Sequence, residues 1–577
     1  MQLRRAQAAS AARLGLALGL LAGPAFAHGN GEHAAQPRRT EMGAFARDLP
    51  QGAAHPTTAA LPSLIPGLGP LDWPDASSDP RARAYFAQGL NLAWGFNHAE
   101  AVRAFRAAQS YDAACALCLW AEAWALGPNI NLPMDAAANA RAIETLQLAR
   151  RFAARQGPVA QGLVEALSRR HSADPHADRA TLDLAYADAM RALHARFPEH
   201  IEIAVLTADA LMNLTPWDYW ADEGRTPKGA TAELLGILER VLATRPDHIG
   251  AIHLYIHTVE ASDRPERAAP FATRLGALAP ASGYLVHMPS HLWYRMGAWG
   301  ESLEANRAAV VADRAMLARG GASLVYAQGY YPHTLHFVLA SALMGGDGAT
   351  AVAAARDLAG IVSARAAQEV AWTQPIQAAP YVAHARFSAP AEILALPEPA
   401  EAAPFLVAHW RYARGVALAR LGRIAEARAE AERIRILAET EEIAMLGEAG
   451  VPGNQTLGIA AELVEAHADQ ASGEHAGAAV RFGRAAGMQE AMPYMEPPFW
   501  FDPIRPAEGA ALLAAGLTGE AMRVFRAALA RLPQDGWSAA GLLLAAQRSG
   551  DAMLEQEMRD RLARSWFGGD LPALDRF

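Results

Sequence analysis

The segment GAWGESLEANRAAVVAD, residues 297–313, carries the pattern that decides the fold. A turn at Gly297 is followed by a stretch of helix-forming residues, and the fifth residue after the glycine, Ser302, is small. The segments that begin at Gly422 and Gly516 repeat this arrangement at the same offset. Small residues at fixed places let two helices approach closely, so the pattern favours helical hairpins that stack on one another.

A further match near the start of the chain gives the length of the repeating unit. Gly89, Ala101 and Phe105 fit two small positions and one large position of a 34-residue helix–turn–helix unit. The chain therefore resembles the tetratricopeptide (TPR) repeat superfamily over most of residues 80–565, with insertions near 214–230 and 314–330. The resemblance implies an all-α solenoid, a right-handed superhelix with one concave face. Composition agrees, because alanine dominates and only 7% of residues are aromatic.

The N-terminus predicts export from the cytoplasm. A basic start, a short apolar stretch and the sequence Ala25-Phe26-Ala27 are typical of a signal peptide cleaved after Ala27. We expect a flexible leader over residues 28–80, the solenoid over 81–565 and a C-terminal tail over 566–577. No later apolar run is long enough to span a membrane. The mature protein is therefore predicted to be periplasmic or secreted.

Charge and missing motifs exclude several classes of function. The formal net charge is −9, and removal of Arg4, Arg5 and Arg13 with the signal peptide would make it −12. Such a chain is a poor partner for nucleic acid or anionic lipid. The sequence contains no GxxxxGK[ST] phosphate loop and no GxSxG elbow, which argues against nucleotide-driven and serine-hydrolase chemistry.

One stretch departs from an ordinary solenoid. His253 and His257 stand one 34-residue period before His287 and His291, so the two pairs occupy equivalent positions of consecutive repeats. Glu260 follows on the same helical face as the first pair. The next repeat supplies a further pair, and three neighbouring helices are then predicted to direct six histidines and Glu260 into the concave groove. The six histidines are His253, His257, His287, His291, His333 and His336.

This concentration of imidazoles predicts a transition-metal site. Neutral imidazole binds copper, zinc, iron and nickel, and six histidines with a carboxylate could hold one ion or two. Glu260 could act as a ligand, an orienting group or a general base. Two other interpretations remain open: ordinary hydrogen-bonded histidines, and a groove that binds an anionic or peptide ligand through protonated histidines.

Several further residues are candidates for the groove or for a lid over it. The aromatic insertion Pro216–Trp220 either covers the histidines or packs on the solenoid. Tyrosines near the histidines could supply hydrogen bonds or a redox phenol, and core packing is the alternative for Tyr255. The candidate groove or lid residues are Asp209, Trp217, Asp218, Trp220, Tyr255, Tyr330 and Tyr331. Cys115 and Cys118 could form a disulfide in an oxidising compartment.

The segments that carry Cys115 and Cys118, the aromatic insertion and the three histidine pairs are together similar to those of a bacterial family of secreted TPR-repeat proteins. That resemblance supports the fold. Two functions follow as hypotheses. The first is a periplasmic TPR protein with a His/Glu metal site of copper, zinc or iron that acts as a metal-dependent oxidase or hydrolase. The second is a scaffold without catalysis that binds a protein or peptide in its groove. An adaptor groove would be lined with mixed polar residues, whereas this one concentrates histidine over three repeats.

Overall fold

The computed structural model describes residues 61–320, 322–399 and 402–577, all within the unit Pro37–Phe577. The predicted signal peptide and residues 28–60 of the predicted leader lie outside the described residues. The described part is built from helices, as its alanine-rich composition predicts. None of the helices searched in that part is both long and apolar enough to cross a bilayer.

The helices follow one another with short turns. In the first half they are α1 (Pro80–Trp94), α2 (His98–Tyr111), α3 (Ala116–Ala125), α4 (Ala136–Gln156), α5 (Pro158–Ser168), α6 (Arg179–Arg196), α7 (Ile201–Met212), α8 (Thr231–Thr244), α9 (Ile249–Val259), α10 (Ala269–Leu278), α11 (Gly283–His287), α12 (Pro289–Arg295) and α13 (Trp299–Ala318). In the second half they are α14 (Tyr331–Met344), α15 (Gly348–Leu358), α16 (Ala364–Glu369), α17 (Thr373–Phe387), α18 (Pro390–Leu394), α19 (Pro404–Arg420), α20 (Ile424–Ala438), α21 (Glu441–Glu448), α22 (Gly453–Ala471), α23 (His475–Glu490), α24 (Arg505–Ala514), α25 (Thr518–Arg531), α26 (Gly536–Ser549) and α27 (Ala552–Ser565).

Packing between successive helices produces a solenoid of the TPR type. Most helices contact the helix before and the helix after them, as α2 and α3 do. Gly89 of α1 faces the ring of Phe105 of α2, and a β-carbon added at Gly89 would lie 2.4 Å from that ring. Gly509 of α24 meets Phe525 of α25 in the same way, again at 2.4 Å. The small and large positions of the repeat are therefore in contact within each pair.

Part of the stretch expected to be a flexible leader is packed against the solenoid. The side chains of Gln88 and Asn91, both on α1, bond to the backbone of residues 61–79. The backbone oxygen of Gly67 accepts a hydrogen bond from the amide of Ala281, and Trp73 is buried. Residues 61–79 thus cover the ends of helices in two different repeats.

Two irregular segments interrupt the helical repeats close to the histidines. The first follows α7 and contains the antiparallel strands β1 (Trp220–Ala221) and β2 (Thr226–Pro227). The second is a π-helical turn, Tyr326–Tyr330, that leads directly into α14. Both coincide with the insertions that interrupt the sequence repeat. Inserts in solenoids tend to map to one face, where they can build a site.

Close contact at Gly89 predicts opposite effects for two glycine substitutions. Gly89→Ala would force the ring of Phe105 to move, and such overpacking costs about 1–3 kcal/mol. Gly487→Ala, on the exposed face of α23 where nothing lies within 4 Å, removes helix-destabilising flexibility and should add up to about 1 kcal/mol. Urea unfolding followed by circular dichroism measures both. Equal effects of the two variants would contradict this packing.

Candidate metal centre

Helices from three consecutive repeats bring four of the six predicted histidines together. His257 lies on α9, His287 ends α11, His291 lies on α12 and His333 lies on α14. The imidazole rings of His287 and His291 have centroids 4.8 Å apart, and those of His287 and His333 are 4.9 Å apart. These four histidines and Glu260 are called the histidine cluster below.

Glu260 is buried and holds two histidines by their Nδ1 atoms. Its Oε1 lies 2.9 Å from Nδ1 of His257, one turn earlier in the chain. Its Oε2 lies 2.5 Å from Nδ1 of His291, in the next repeat. A carboxylate can only accept hydrogen bonds, so the proton of each ring is on Nδ1. The Nε2 atoms of both rings are therefore left with free lone pairs.

Asn306 fixes the third histidine in the same way. The side-chain nitrogen of Asn306 donates to the backbone oxygen of Ser302 at 2.7 Å, which turns its Oδ1 toward His287. Nδ1 of His287 lies 2.5 Å from that oxygen and must donate to it. Its Nε2 thus also carries a lone pair.

The fixed tautomers place two lone pairs against each other. Nε2 of His287 and Nε2 of His291 are only 2.9 Å apart. Two unprotonated nitrogens at this distance repel, and a positive charge between or beside them, a proton or a metal ion, would relieve the repulsion. Metal–imidazole bonds are ~2.0–2.1 Å long, so both nitrogens can bind one ion. His333 completes a group of three histidines whose ligand atoms lie within 4.8 Å of one another.

Electrostatics keep the cluster in the form that metals bind. Burial lowers the pKa values of His257, His287 and His333, and neighbouring histidines lower those of His287 and His333 further. Burial would raise the pKa of Glu260, but His291 and His257 act against it and bring it down to about 2. Glu260 is therefore an anion at neutral pH, while burial favours the neutral state of His257, His287 and His333.

The cluster lies inside the protein, which corrects the expectation of an open groove. His257, His287 and Glu260 are fully buried, and His333 has the largest exposed fraction, 8%. Phe337 packs against the rings of His287, His291 and His333. The histidines therefore do not form an open surface on which a peptide could lie.

Two predicted histidines lie outside the cluster. The ring of His253 lies 4.8 Å from that of His257, between centroids, and packs edge-on against Phe96 and Tyr284. The ring of His336 contacts Phe501 instead. Residues three apart on a helix differ by ~60° in direction, so α14 directs His333 toward the cluster and His336 away from it.

The aromatic insertion covers the cluster on one side. The indole of Trp217 packs edge-on against His257, with ring centroids 5.1 Å apart. Its Nε1 donates to the side chain of Asn131, which belongs to the turn after α3. Trp220 donates to the backbone of α9, and Asp218 pairs with Lys228 across the insertion. The insertion therefore packs on the solenoid at His257 and α9, and its role as a lid stays a prediction.

The other predicted groove residues have different roles. Asp209 accepts a hydrogen bond from Trp124, Tyr255 donates to Glu239, and Tyr331 accepts from Arg314. None of these three bonds involves the histidine cluster. Tyr330 is closer, because its ring packs against Tyr284 and its hydroxyl accepts a bond from Asn131.

Several residues near the cluster were not singled out from the sequence. The hydroxyl of Tyr284 lies 3.4 Å from Nε2 of His257. Glu496, in the segment before α24, is buried and accepts a hydrogen bond from Tyr494. Burial raises the pKa of Glu496 to about 7, and both His291 and Glu260 are close enough to affect it. Asn306 carried a signal, since it occupies the position that holds Phe105 in another repeat.

The two cysteines lie near the N-terminal end of the described solenoid. Cys115 and Cys118 are joined by a disulfide bond at the start of α3. Both are buried. The turn that follows α3 carries Asn131, which contacts Trp217 of the aromatic insertion and the hydroxyl of Tyr330.

Comparison with known proteins gives structural neighbours only. No protein-family model and no curated protein matches the sequence. A Naa15/Naa10 complex bound to HypK-THB has 12% identity and a TM-score of 0.22, with 84% of this chain and 89% of that chain covered. A human IFIT1 dimer with m7Gppp-AAAA has 13% identity and a TM-score of 0.32, with 80% of this chain and 91% of that chain covered. Yeast Tom70 has 12% identity and a TM-score of 0.26, with 84% of this chain and 92% of that chain covered. Identity and superposition are low, so the fold assignment rests on the helix packing of this chain.

The position of His336 predicts a specific pH dependence. Burial lowers its pKa to about 3, whereas the unfolded chain takes up this proton near pH 6.5. The folded state therefore loses stability relative to the unfolded state as the pH falls below 6.5. His336→Leu should remove this loss, so that the fall in unfolding free energy between pH 6.5 and pH 5 is smaller by about 2 kcal/mol.

The matched control is His176→Leu in an exposed loop, which should keep the wild-type pH dependence. Urea unfolding at a series of pH values measures both variants. If the unfolding free energy of His336→Leu fell with pH as steeply as that of the wild type, His336 would not be buried as a neutral ring.

Proposed function

We propose that this chain binds a transition-metal ion through His287, His291 and His333. The observation that carries the proposal is the 2.9 Å separation of two Nε2 atoms whose Nδ1 protons are already committed to Glu260 and Asn306. An ion beside these atoms would replace a repulsive contact by two bonds. Glu260 and Asn306 would orient the ligands, as outer-shell groups do in metal sites.

The ligand set supports catalysis more than a purely structural role. Three imidazoles leave a coordination position for water or substrate, as in catalytic zinc sites, whereas structural sites are filled by four protein ligands. Imidazole ligands suit zinc, copper or iron. A zinc ion would favour hydrolysis, and copper or iron would favour oxidation. The proposal is therefore a metal-dependent oxidase or hydrolase carried by a helical-repeat protein.

Export to the periplasm is part of the same proposal. The disulfide between Cys115 and Cys118 supports it, because such bonds persist mainly in oxidising compartments. A role as a peptide scaffold would have to use a surface other than the buried cluster.

Two histidines on α14 provide a direct test of the site. His333→Ala removes a proposed ligand, so the purified protein should lose most of its bound metal. His336→Ala, one turn away on the same helix, should keep it. Elemental analysis of untagged proteins that share the wild-type circular dichroism spectrum measures the difference. Equal metal contents in the two variants, or no metal uptake by the wild type, would reject the site.

The orienting role of Asn306 is tested separately. Asn306→Ala leaves all three ligands in place but frees the ring of His287, so metal affinity should fall about 10- to 100-fold. Competition with a chromogenic chelator measures the affinity.

The chain offers a matched control for this test. Asn139 bonds Nδ1 of His171 at 3.0 Å, and neither residue belongs to the cluster. Asn139→Ala should leave the affinity unchanged. A similar loss in both variants would mean that general destabilisation, and not orientation of His287, lowers the affinity.

A further inference from the structure

A polar cavity lies in the C-terminal half of the solenoid, among residues that take no part in the histidine cluster. It has about 20 Å³ of space for a water-sized particle, and one water needs ~10–15 Å³. Helices α17, α19, α22, α23 and α24 contribute to its wall. Its polar and charged lining residues are Arg386, Tyr412, Arg420, His467 and Asp502.

One of the two arginines in the cavity wall is fully engaged. Nε of Arg386 donates to Oδ1 of Asp502 at 3.0 Å, and its Nη1 donates to the backbone oxygen of Arg576 at 3.2 Å. Its guanidinium also stacks on Trp537, 4.3 Å from the ring centroid. Arg386 and Asp502 therefore neutralise each other.

The other arginine has donors without acceptors. Nε and Nη1 of Arg420 are buried, and neither has a hydrogen-bond partner in the described part of the chain. Burial and the nearby Arg576 lower the pKa of Arg420 to about 10, so it is still charged at neutral pH. A buried guanidinium with unmet donors is costly. A hydrogen-bond acceptor that carries negative charge would satisfy the donors of Arg420 and balance its charge.

His467 reinforces this requirement. Burial, together with Arg420 and Arg386, lowers its pKa to about 3, so the ring is neutral. A neutral imidazole offers one N–H donor and adds no charge. With Arg386 paired to Asp502, Arg420 and the nearby Arg576 leave the surroundings of the cavity positively charged.

We infer that this cavity binds a small monoanion, chloride or the carboxylate head of a small organic acid, through Arg420 with His467 as a second donor. The size of the cavity admits one ion slightly larger than water. This small volume suits a monoanion of the size of chloride or a carboxylate head better than phosphate. This site is independent of the proposed metal centre and does not require it.

The test uses thermal unfolding of the full protein at constant ionic strength. Sodium methanesulfonate, whose head is bulkier than chloride or formate, is replaced stepwise by sodium chloride or by sodium formate. The melting temperature of the wild type should rise and saturate with at least one of these anions. The two series distinguish a halide site from a carboxylate site, and phosphate should act more weakly than either.

Arg420→Met removes the guanidinium and keeps the length of the side chain. It should lower the affinity for the anion at least about tenfold, the effect of one charge-assisted hydrogen bond. The control Arg423→Met removes the same charge from an exposed arginine paired with Glu426, and should bind as the wild type does. Equal responses in Arg420→Met and the wild type would overturn the inference.

A second measurement does not depend on the folding of a variant. Crystals of the wild type grown with sodium bromide should show an anomalous bromide peak beside Arg420 if the site takes a halide, and formate soaks should show density there if it takes a carboxylate. Neither signal, together with no saturable change in melting temperature, would rule the site out.

Discussion

The structure around the histidine cluster depends on one buried carboxylate. Glu260 accepts the Nδ1 protons of His257 and His291, which lie in consecutive repeats. Loss of its charge would leave two imidazole donors in a low-dielectric interior with only one acceptor, and unpaired buried groups of this kind are among the most destabilising defects. The carboxylate thus joins two helical hairpins and, in the same bonds, fixes which nitrogens face inward. Packing and site chemistry have a common origin here.

The 34-residue period explains why this much could be predicted from the sequence. His253 and His257 recur as His287 and His291 because a solenoid places equivalent residues of adjacent repeats side by side. The period therefore predicted contact between His257 and His291 without knowledge of any side-chain direction. It also predicted close approach of two helices at small positions such as Gly89, where the structure packs the ring of Phe105.

Other features depend on contacts that a period does not encode. His336 and His333 lie on the same helix three residues apart, and the facing residues Phe501 and Phe337 decide which ring enters the cluster. Burial of the cluster could not be predicted either, because the cover comes from an insertion and from the distant segment around Glu496. Segments outside the repeat have no periodic register, so their positions are set by tertiary packing alone. Asn306 is the exception, since a polar residue where the repeat expects a large apolar one marks a functional departure.

The cluster also has a charge balance that links metal binding to protons. Glu260 carries one negative charge, and burial lowers the pKa values of His257 and His287. Without metal, one proton held between Nε2 of His287 and Nε2 of His291 would both cancel that charge and relieve their repulsion. A divalent ion at the same atoms would expel this proton and leave a net positive charge, which a bound hydroxide or an anionic substrate could neutralise. Metal, proton and anion would then compete or cooperate at one place. This coupling is a physical reason for a solenoid to bury so many imidazoles around a single carboxylate.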